Sequence, residues 1–278
     1  NVTMWGLADN GGYGTALLDS LKGAAQVPGN EVNLMYDWIG TAPFQGFKSA
    51  KQVRDLRAAG VHTKPYMHGL DGLKPPGAYA FSYDHRKMAM MLTKDGPVGW
   101  IGGTNLARQF DDFHDMMVRV QGPAAAQIWT EILGRWTEQG GKLSELQKSE
   151  LARAISNPEV RGPANVKLAT NTPGGDLELT EQFFEHVKNA KERFWATTPS
   201  MWSESMINAL KEADQRGVDV RVVVARDKAR DPLLRQMTKS YFPELVDSGV
   251  QVYDSPRHLH GKLWMADRDV MVGSANLN

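Results

Sequence analysis

Two stretches of the chain carry the same reactive groups in the same order: a histidine, a lysine two residues later, an apolar run, a turn, and a segment that ends in asparagine. The first stretch extends from His85 to Asn105 and the second from His260 to Asn276. Side chains two residues apart on a strand point to the same side, so we expect each histidine to share a face with its lysine. Those lysines are Lys87 and Lys262.

Two imidazoles, two ammonium groups and two amides converging on one point would suit a phosphodiester. Lysine and asparagine stabilise the non-bridging oxygens and the charge that grows in the transition state. One histidine can then attack phosphorus while the other protonates the leaving oxygen and later deprotonates the acceptor. We expect the strand before each asparagine to bring further backbone and hydroxyl groups to the phosphate, from Gly103, Thr104 and Ser274.

A single His-x-Lys pair is common by chance and has only a structural role in most chains. Two copies in matching positions favour a functional role instead. His258 stands two residues before His260 and can line the same face. The remaining histidines fit no metal-ligand spacing, so we expect no metal site and no cofactor. They are His62, His68, His114 and His186.

The composition narrows the function further. The 278 residues contain 32 basic and 32 acidic side chains, so there is no excess positive charge of the kind that holds proteins on nucleic acid. The absence of cysteine excludes disulfides, thiolate zinc sites and cysteine nucleophiles. No apolar run approaches the roughly 18 residues that span a bilayer, and the first residues do not resemble a signal peptide. The composition does not identify the compartment, and the protein would be secreted or periplasmic if a signal has been removed.

The elements that position these groups also occur twice. Strands alternate with helices of 10 to 15 residues, which predicts an α/β fold with a mainly parallel or mixed sheet in each half. We predict an N-terminal half over 1–137, a connector with a solvated helix over 138–165, and a C-terminal half over 166–278. The predicted helices of the second half cover 180–190, 203–216 and 232–247, and the last is closed by Gly249.

The double pattern resembles the phospholipase D superfamily, whose repeated signature is His-x-Lys, four residues, Asp, a turn, and Gly-Gly/Ser-x-Asn. The resemblance covers nearly the whole chain, and two further segments resemble bacterial cardiolipin synthases. These are Phe113–Ala124 followed by Trp129 and Trp136, and the run from Ala209 to Arg221. The resemblance implies two similar halves related by a pseudo-twofold axis with the active site between them. It also implies hydrolysis of glycerophospholipids or phosphatidyl transfer to an alcohol, at the membrane periphery.

The resemblance implies a role for each residue. His85 would be the nucleophile that forms a phosphohistidine, and His260 the general acid and base. Asp115 would orient the first histidine, and the acid that orients the second would lie beyond Asn278. The groups that bind phosphate would be Lys87, Asn105, Lys262 and Asn276.

The chain departs from the signature at the aspartate of the first motif. Leu92 occupies that position, and the turn carries Asp95 three residues later, which we interpret as a lengthened turn. In the second motif Asp267 stands where the signature has it. We expect Asp267 to hold its turn through backbone hydrogen bonds and not to transfer protons.

Two other functions fit parts of the pattern. A nuclease on the same fold would need an open basic groove, and the neutral overall charge argues against it. A non-catalytic relative that binds phosphate or lipid headgroups is suggested by Leu92. The intact histidines and lysines of both motifs argue against such a loss of activity. Contact with membranes would depend on apolar loops and weak local charge. The walls of the substrate pocket would be built by loops such as 67–82, which is rich in glycine and proline.

Overall fold

The computed structural model describes residues 1–4, 11–37, 47–66, 84–156, 162–172, 176–225 and 232–277. The chain forms two compact units. One contains 1–101, 105–111 and 118–168, and the other contains 102–104, 112–117 and 169–278. The short segment 112–117 therefore belongs to the second unit although it lies in the N-terminal half of the sequence. Loop 67–82, which we expected to shape the substrate pocket, lies outside the described residues.

The first unit is built on a mixed sheet. Its three parallel strands are continued by an antiparallel one, and the strand order is β3-β2-β1-β4-β5-β6. The strands are β1 (Val2–Met4), β2 (Asn33–Asp37), β3 (His62–Tyr66), β4 (Lys87–Thr93), β5 (Gly96–Gly102) and β6 (Met117–Gln121). The helices are α1 (Gly12–Ala25), α2 (Phe47–Ala58), α3 (Pro123–Glu138) and α4 (Glu145–Ser156).

Both faces of this sheet are covered by apolar packing. Leu18 and Leu21 of α1 pack with Leu34 and Leu56 on one side. On the other side Met88 and Met90 of β4 pack under α3, contributing to a cluster with Ile128, Trp129, Ile132 and Leu133. Burial of this much apolar surface fixes β4, and with it the position of the first His-x-Lys motif.

The helix predicted within the connector is α4, but it is not solvated on all sides. Gln147 is buried, and Leu151 and Ala154 pack against the cluster under α3. The exposed face carries pairs three residues apart, such as Lys148 with Glu145 and Arg153 with Glu150. The alternating charges of this segment therefore mark one face of a packed helix.

The second unit repeats this design. Its strands are β7 (Arg193–Thr198), β8 (Asp219–Ala225), β9 (Gln251–Ser255), β10 (Lys262–Ala266) and β11 (Asp269–Gly273), in the order β11-β10-β7-β8-β9. Its helices are α5 (Glu178–Asn189), α6 (Glu204–Gln215), α7 (Pro232–Ser240) and α8 (Phe242–Ser248). Phe183, Phe194 and Trp264 meet edge to face at the centre of its core.

The duplication extends to the register of the strands. Each unit contains three parallel strands, and one of them pairs with an antiparallel strand that begins at the motif lysine. Met88 stands opposite Thr3, and Leu263 stands opposite Thr197. Met88 lies three residues after His85, and Leu263 lies three residues after His260. Both motifs therefore enter their sheets in the same register. The predicted α/β fold, with a mixed sheet flanked by helices in each half, is confirmed.

The hairpin after the first motif is longer than its counterpart, but not in the turn. β4 and β5 have seven residues each, whereas β10 and β11 have five each. Both turns contain two residues, Lys94–Asp95 and Asp267–Arg268. The interpretation of a lengthened turn is therefore wrong. Two residues were added to each strand, which leaves the alternation of faces unchanged because the period of a strand is two.

Two smaller predictions can be compared with the structure. The helix predicted over 232–247 is two helices, because Pro243 cannot donate a backbone hydrogen bond and starts a new helix at α8. Gly249 closes that helix with φ of +109°, as predicted. Within the described part of the chain, no helix has the length and apolar character needed to cross a membrane.

Candidate active site

The second motif is held by a segment from the first half of the sequence. Residues 112–117 run beside the chain that leads into β10, with a parallel bridge between His114 and Leu259. The His114 amide donates to the carbonyl of His258 (2.8 Å). The His114 carbonyl accepts from the amides of His260 (2.9 Å) and Gly261 (3.0 Å). Three backbone hydrogen bonds thus fix the chain on both sides of His260.

The same segment supplies a carboxylate to the histidine ring. Oδ2 of Asp115 lies 2.6 Å from Nδ1 of His260, and both side chains are largely buried, with exposed fractions of 8% and 15%. The Asp115 carboxylate is itself fixed by the amide of Met116 at 2.8 Å. Because an ionised carboxylate only accepts, Nδ1 of His260 carries a proton and Nε2 is the ring atom that can exchange one.

This pairing corrects the role expected for Asp115. The sequence assigned Asp115 to the first histidine and placed the acid for His260 beyond Asn278, and both assignments are wrong. The physical reason is that 112–117 leaves the first unit and packs in the second. Chain order gives no information about such a crossing.

Residues 112–117 approach the two glycines of the first motif so closely that a side chain would not fit there. A Cβ atom on Gly103 would lie 2.3 Å from Oδ1 of Asp115, and one on Gly102 would lie 2.1 Å from the carbonyl oxygen of Met116. The amide of Gly103 donates to that same carbonyl at 2.9 Å. The Gly103 amide is therefore used within the protein, and the role of Gly103 in binding phosphate stays a prediction.

The two motif lysines have the same local arrangement. Nζ of Lys262 donates to the carbonyl of His260, and Nζ of Lys87 donates to the carbonyl of His85, both at 2.5 Å. Exposed fractions of 2% and 0% place both ammonium groups in the protein interior. A buried ammonium is costly unless it meets an anion or several acceptors, so these lysines are typical of a binding site.

Burial dominates the acid-base properties of the second motif. Desolvation lowers the pKa of Lys262 to about 7, although the Asp115 charge acts in the opposite direction. Burial is the largest single influence on Asp115 and acts to raise its pKa. It is outweighed by the hydrogen bond to His260 together with the charges of His260 and Lys262 and the bond from the Met116 amide. The net pKa of Asp115 lies below its usual value.

The asparagines that end the two motifs share an unusual feature. Oδ1 of Asn105 and Oδ1 of Asn276 are buried and have no hydrogen-bond partner among the residues that the structure describes. Leaving a buried amide oxygen unpaired costs on the order of 1–3 kcal/mol, and such groups are concentrated at ligand sites. Thr104 and Ser274, half-buried beside them, remain predictions as phosphate ligands.

The first motif is fixed by ion pairs that the sequence interpretation missed. The Asp37 carboxylate at the end of β2 accepts the amide of Asp84 at 2.8 Å. The Asp84 carboxylate binds the Arg86 guanidinium through two bonds of 2.7 Å, and Arg86 also bonds Glu131 of α3. His85 is thus held between two immobilised neighbours. The signal for this ion pair in the sequence is that an acidic and a basic residue, Asp84 and Arg86, stand on either side of the histidine.

Asp267 is a structural residue, but it does not hold its own turn. Its carboxylate accepts the amides of Lys191, Glu192 and Arg193 at 2.9–3.0 Å, and these bonds lower its pKa. It therefore joins the β10–β11 turn to the start of β7. The residue adopts φ of +52°, which aspartate tolerates better than most residues. Among the described residues, no cluster of potential ligands could hold a metal ion.

Comparison with known proteins finds similarity to cardiolipin synthases. Residues 183–278 match the family model described as "Cardiolipin synthase, PLD-like domain". A curated cardiolipin synthase of Halalkalibacterium halodurans is 28% identical over 263 residues, which cover 90% of this chain and 49% of that protein. The matched family model is phospholipase D-like, in agreement with the resemblance that the two motifs indicate. The chain spans about half the length of the curated relatives it matches.

Solved structures agree with a phospholipase D fold. The phosphatidylserine synthase of Haemophilus influenzae aligns with all of this chain and 72% of its own, with a TM-score of 0.60 and 13% identity. The polyphosphate kinase of Porphyromonas gingivalis aligns with 99% of this chain and 40% of its own, with a TM-score of 0.58 and 15% identity. At these identities the likeness concerns the fold alone.

Proposed function

We propose that this phospholipase D relative transfers the phosphatidyl group of a glycerophospholipid to water or an alcohol through a phosphohistidine on His85. The observation that carries the proposal is the buried pair of Asp115 and His260, which leaves one ring nitrogen for proton transfer. Curated relatives named cardiolipin synthase support a lipid substrate. The action of both histidines on one phosphate is part of the proposal.

In the first step His85 attacks phosphorus. The N–P bond forms as the bond from phosphorus to the leaving alcohol oxygen breaks, and Nε2 of protonated His260 gives its proton to that oxygen. Asp115 stabilises the imidazolium form of His260 before the transfer and holds its tautomer afterwards. Lys87 and Lys262 balance the charge on the non-bridging oxygens.

In the second step the acceptor completes the transfer. Nε2 of His260, now neutral, takes the proton from water or an alcohol as its oxygen attacks phosphorus and the N–P bond breaks. His260 regains its proton and His85 is released, so the site returns to its starting state. A glycerophospholipid presents its phosphate at the surface of a bilayer, and peripheral membrane contact is therefore part of the proposal.

The proposal is tested by incubating the purified protein with mixed glycerophospholipids, with and without glycerol and added phosphatidylglycerol, and identifying products by mass spectrometry. Cardiolipin or another headgroup-exchanged lipid indicates transfer, and phosphatidic acid alone indicates hydrolysis. His85→Ala should abolish every product. His62→Ala, a histidine of β3 outside both motifs, should leave the yield unchanged.

The covalent step can be tested separately. A phosphodiester with a p-nitrophenyl leaving group needs little protonation, so His260→Asn should still release one equivalent of p-nitrophenol and then stop. After this release the variant should carry a covalently bound phosphoryl group. That group should be lost in acid, as expected of a phosphohistidine. Activity on every substrate in His85→Ala would refute the assigned nucleophile, and activity on single-stranded DNA without lipid turnover would favour the nuclease.

A further inference from the structure

The surroundings of His260 contain aromatic rings that the proposed chemistry does not use. The Phe113 ring stacks on the His258 imidazole with centroids 3.8 Å apart and planes 25° apart. Phe113 also lies 5.8 Å from the His260 ring, at an angle of 50°. These three rings belong to the second unit and are built from the two backbone segments that the His114 hydrogen bonds join.

One hydrogen bond does not fix the orientation of an imidazole. The bond from Nδ1 of His260 to Asp115 sets the direction of one ring atom, but the ring can still tilt about that bond because the terminal torsion of histidine is broad. Nε2, on the far side of the ring, would move most during such a tilt. Proton transfer requires that nitrogen within hydrogen-bond reach of the leaving oxygen, so a ring that packs against the imidazole also affects the transfer.

We propose that Phe113 and His258 form an aromatic bracket that positions His260, with Phe113 limiting the tilt of its ring and His258 holding Phe113 in place. Both are positioning residues, since they act through His260 and not on the substrate. The inference rests on the proposed role of His260 as the proton-transferring group. It deepens that role by adding a steric restraint to the hydrogen bond from Asp115.

The two stacked rings of the bracket are also linked through the backbone. Phe113 is next to His114, whose amide is bonded to the carbonyl of His258, so the two stacked rings are tied together through their own backbones. An offset or tilted contact between flat rings is favourable beyond its buried area, which favours one ring position over others. A leucine of similar bulk would fill space without presenting a flat face.

The test uses two pairs of variants. Phe113→Leu removes the flat ring and Phe113→Tyr keeps it, while His258→Leu removes the stacking partner and His258→Phe keeps the stack without a titratable group. We expect kcat of lipid turnover to fall about 10- to 100-fold in both leucine variants, with KM unchanged. The tyrosine and phenylalanine variants should retain most of the wild-type kcat.

A second readout does not depend on substrate. In protein labelled with ¹⁵N-histidine, the Nδ1 proton of His260, assigned by its loss in His260→Gln, should shift and exchange faster with water in Phe113→Leu than in Phe113→Tyr. Folding of each variant is checked by its melting temperature.

The outcomes separate the bracket from the proposed function. An unchanged signal and unchanged kcat in Phe113→Leu would overturn the bracket. Loss of activity in His258→Phe with retention in Phe113→Tyr would also overturn it, since it would assign His258 an acid-base role. If wild-type protein turns over no lipid but the signal changes as expected, the bracket stands and the proposed function fails.

Discussion

Replacing Lys262 with methionine should stabilise the fold and abolish transfer. The buried ammonium has a pKa of about 7, compared with 10.5 for the group in water. At 1.36 kcal/mol per pKa unit, the difference amounts to roughly 5 kcal/mol of unfavourable free energy for the charged form, and about 4 kcal/mol remains at pH 7. Methionine matches the length of the side chain and carries no charge.

The net gain is smaller because one hydrogen bond is lost. The His260 carbonyl would no longer accept from Nζ, which costs about 1 kcal/mol. We therefore expect the methionine variant to be more stable than wild type by about 3 kcal/mol at pH 7, measured by urea denaturation. Lys51→Met, at an exposed lysine on α2, should change stability by less than about 0.5 kcal/mol.

The pH dependence provides the decisive comparison. The folded-state pKa of about 7 lies below the unfolded value of 10.5, so the unfolded chain holds the additional proton between these limits. Wild-type stability should therefore rise with pH relative to the methionine variant across that window. The difference should be largest below pH 7 and should reverse above about pH 10.5, where only the lost hydrogen bond remains and wild type is the more stable by about 1 kcal/mol. A methionine variant that is no more stable at pH 7, or a difference that does not change with pH, would refute the reasoning.

Three further predictions concern the residues around His260. Asp115→Asn should reduce kcat by about 10²- to 10⁴-fold, measured by lipid turnover, because the amide favours the wrong tautomer of His260. In wild type, the ionised Asp115 carboxylate stabilises the fold at neutral pH, and this stabilisation is lost as pH falls through its lowered pKa. If Asp115→Asn and wild type lost the same amount of stability in acid, this prediction would be contradicted. Asp267→Ala should lower the melting temperature and leave kcat of the folded protein within about threefold, since its carboxylate bonds only backbone amides. Gly103→Ala should displace the Asp115 carboxylate and reduce kcat as much as Asp115→Asn does, and wild-type kcat in this variant would show that the segment can move.

The sequence predicts the fold well because its signal is local and occurs twice. The glycine that closes a helix and the alternation of strands with helices are visible without tertiary contacts, and the same strand order in both sheets agrees with them. The reactive groups were found for the same reason, since His85 with Lys87 and His260 with Lys262 have the same spacing. What repeats in sequence can be assigned from sequence.

What could not be predicted depends on contacts distant in sequence. The pairing of Asp115 with His260 spans 145 residues and requires knowing which unit the segment joins. The positions of the added residues, in β4 and β5 and not in the turn, depend on strand pairing that no local pattern reveals. A glycine alone does not show whether a ligand or another segment of the protein approaches it, and the approach of Asp115 to Gly103 is visible only in the structure.

The crossing of residues 112–117 into the second unit limits how this protein can be divided. A fragment made of 169–278 would contain His260 and Lys262 but would lack the carboxylate and the backbone partners that hold them. A fragment ending at 168 would keep the contacts of these residues with Gly102 and Gly103 but would lose the backbone hydrogen bonds to 258–261. During synthesis, moreover, Asp115 is made 145 residues before its histidine, so the pair can form only late. Studies of isolated halves, and chimaeras that exchange them with relatives, must therefore treat 112–117 as part of the C-terminal unit.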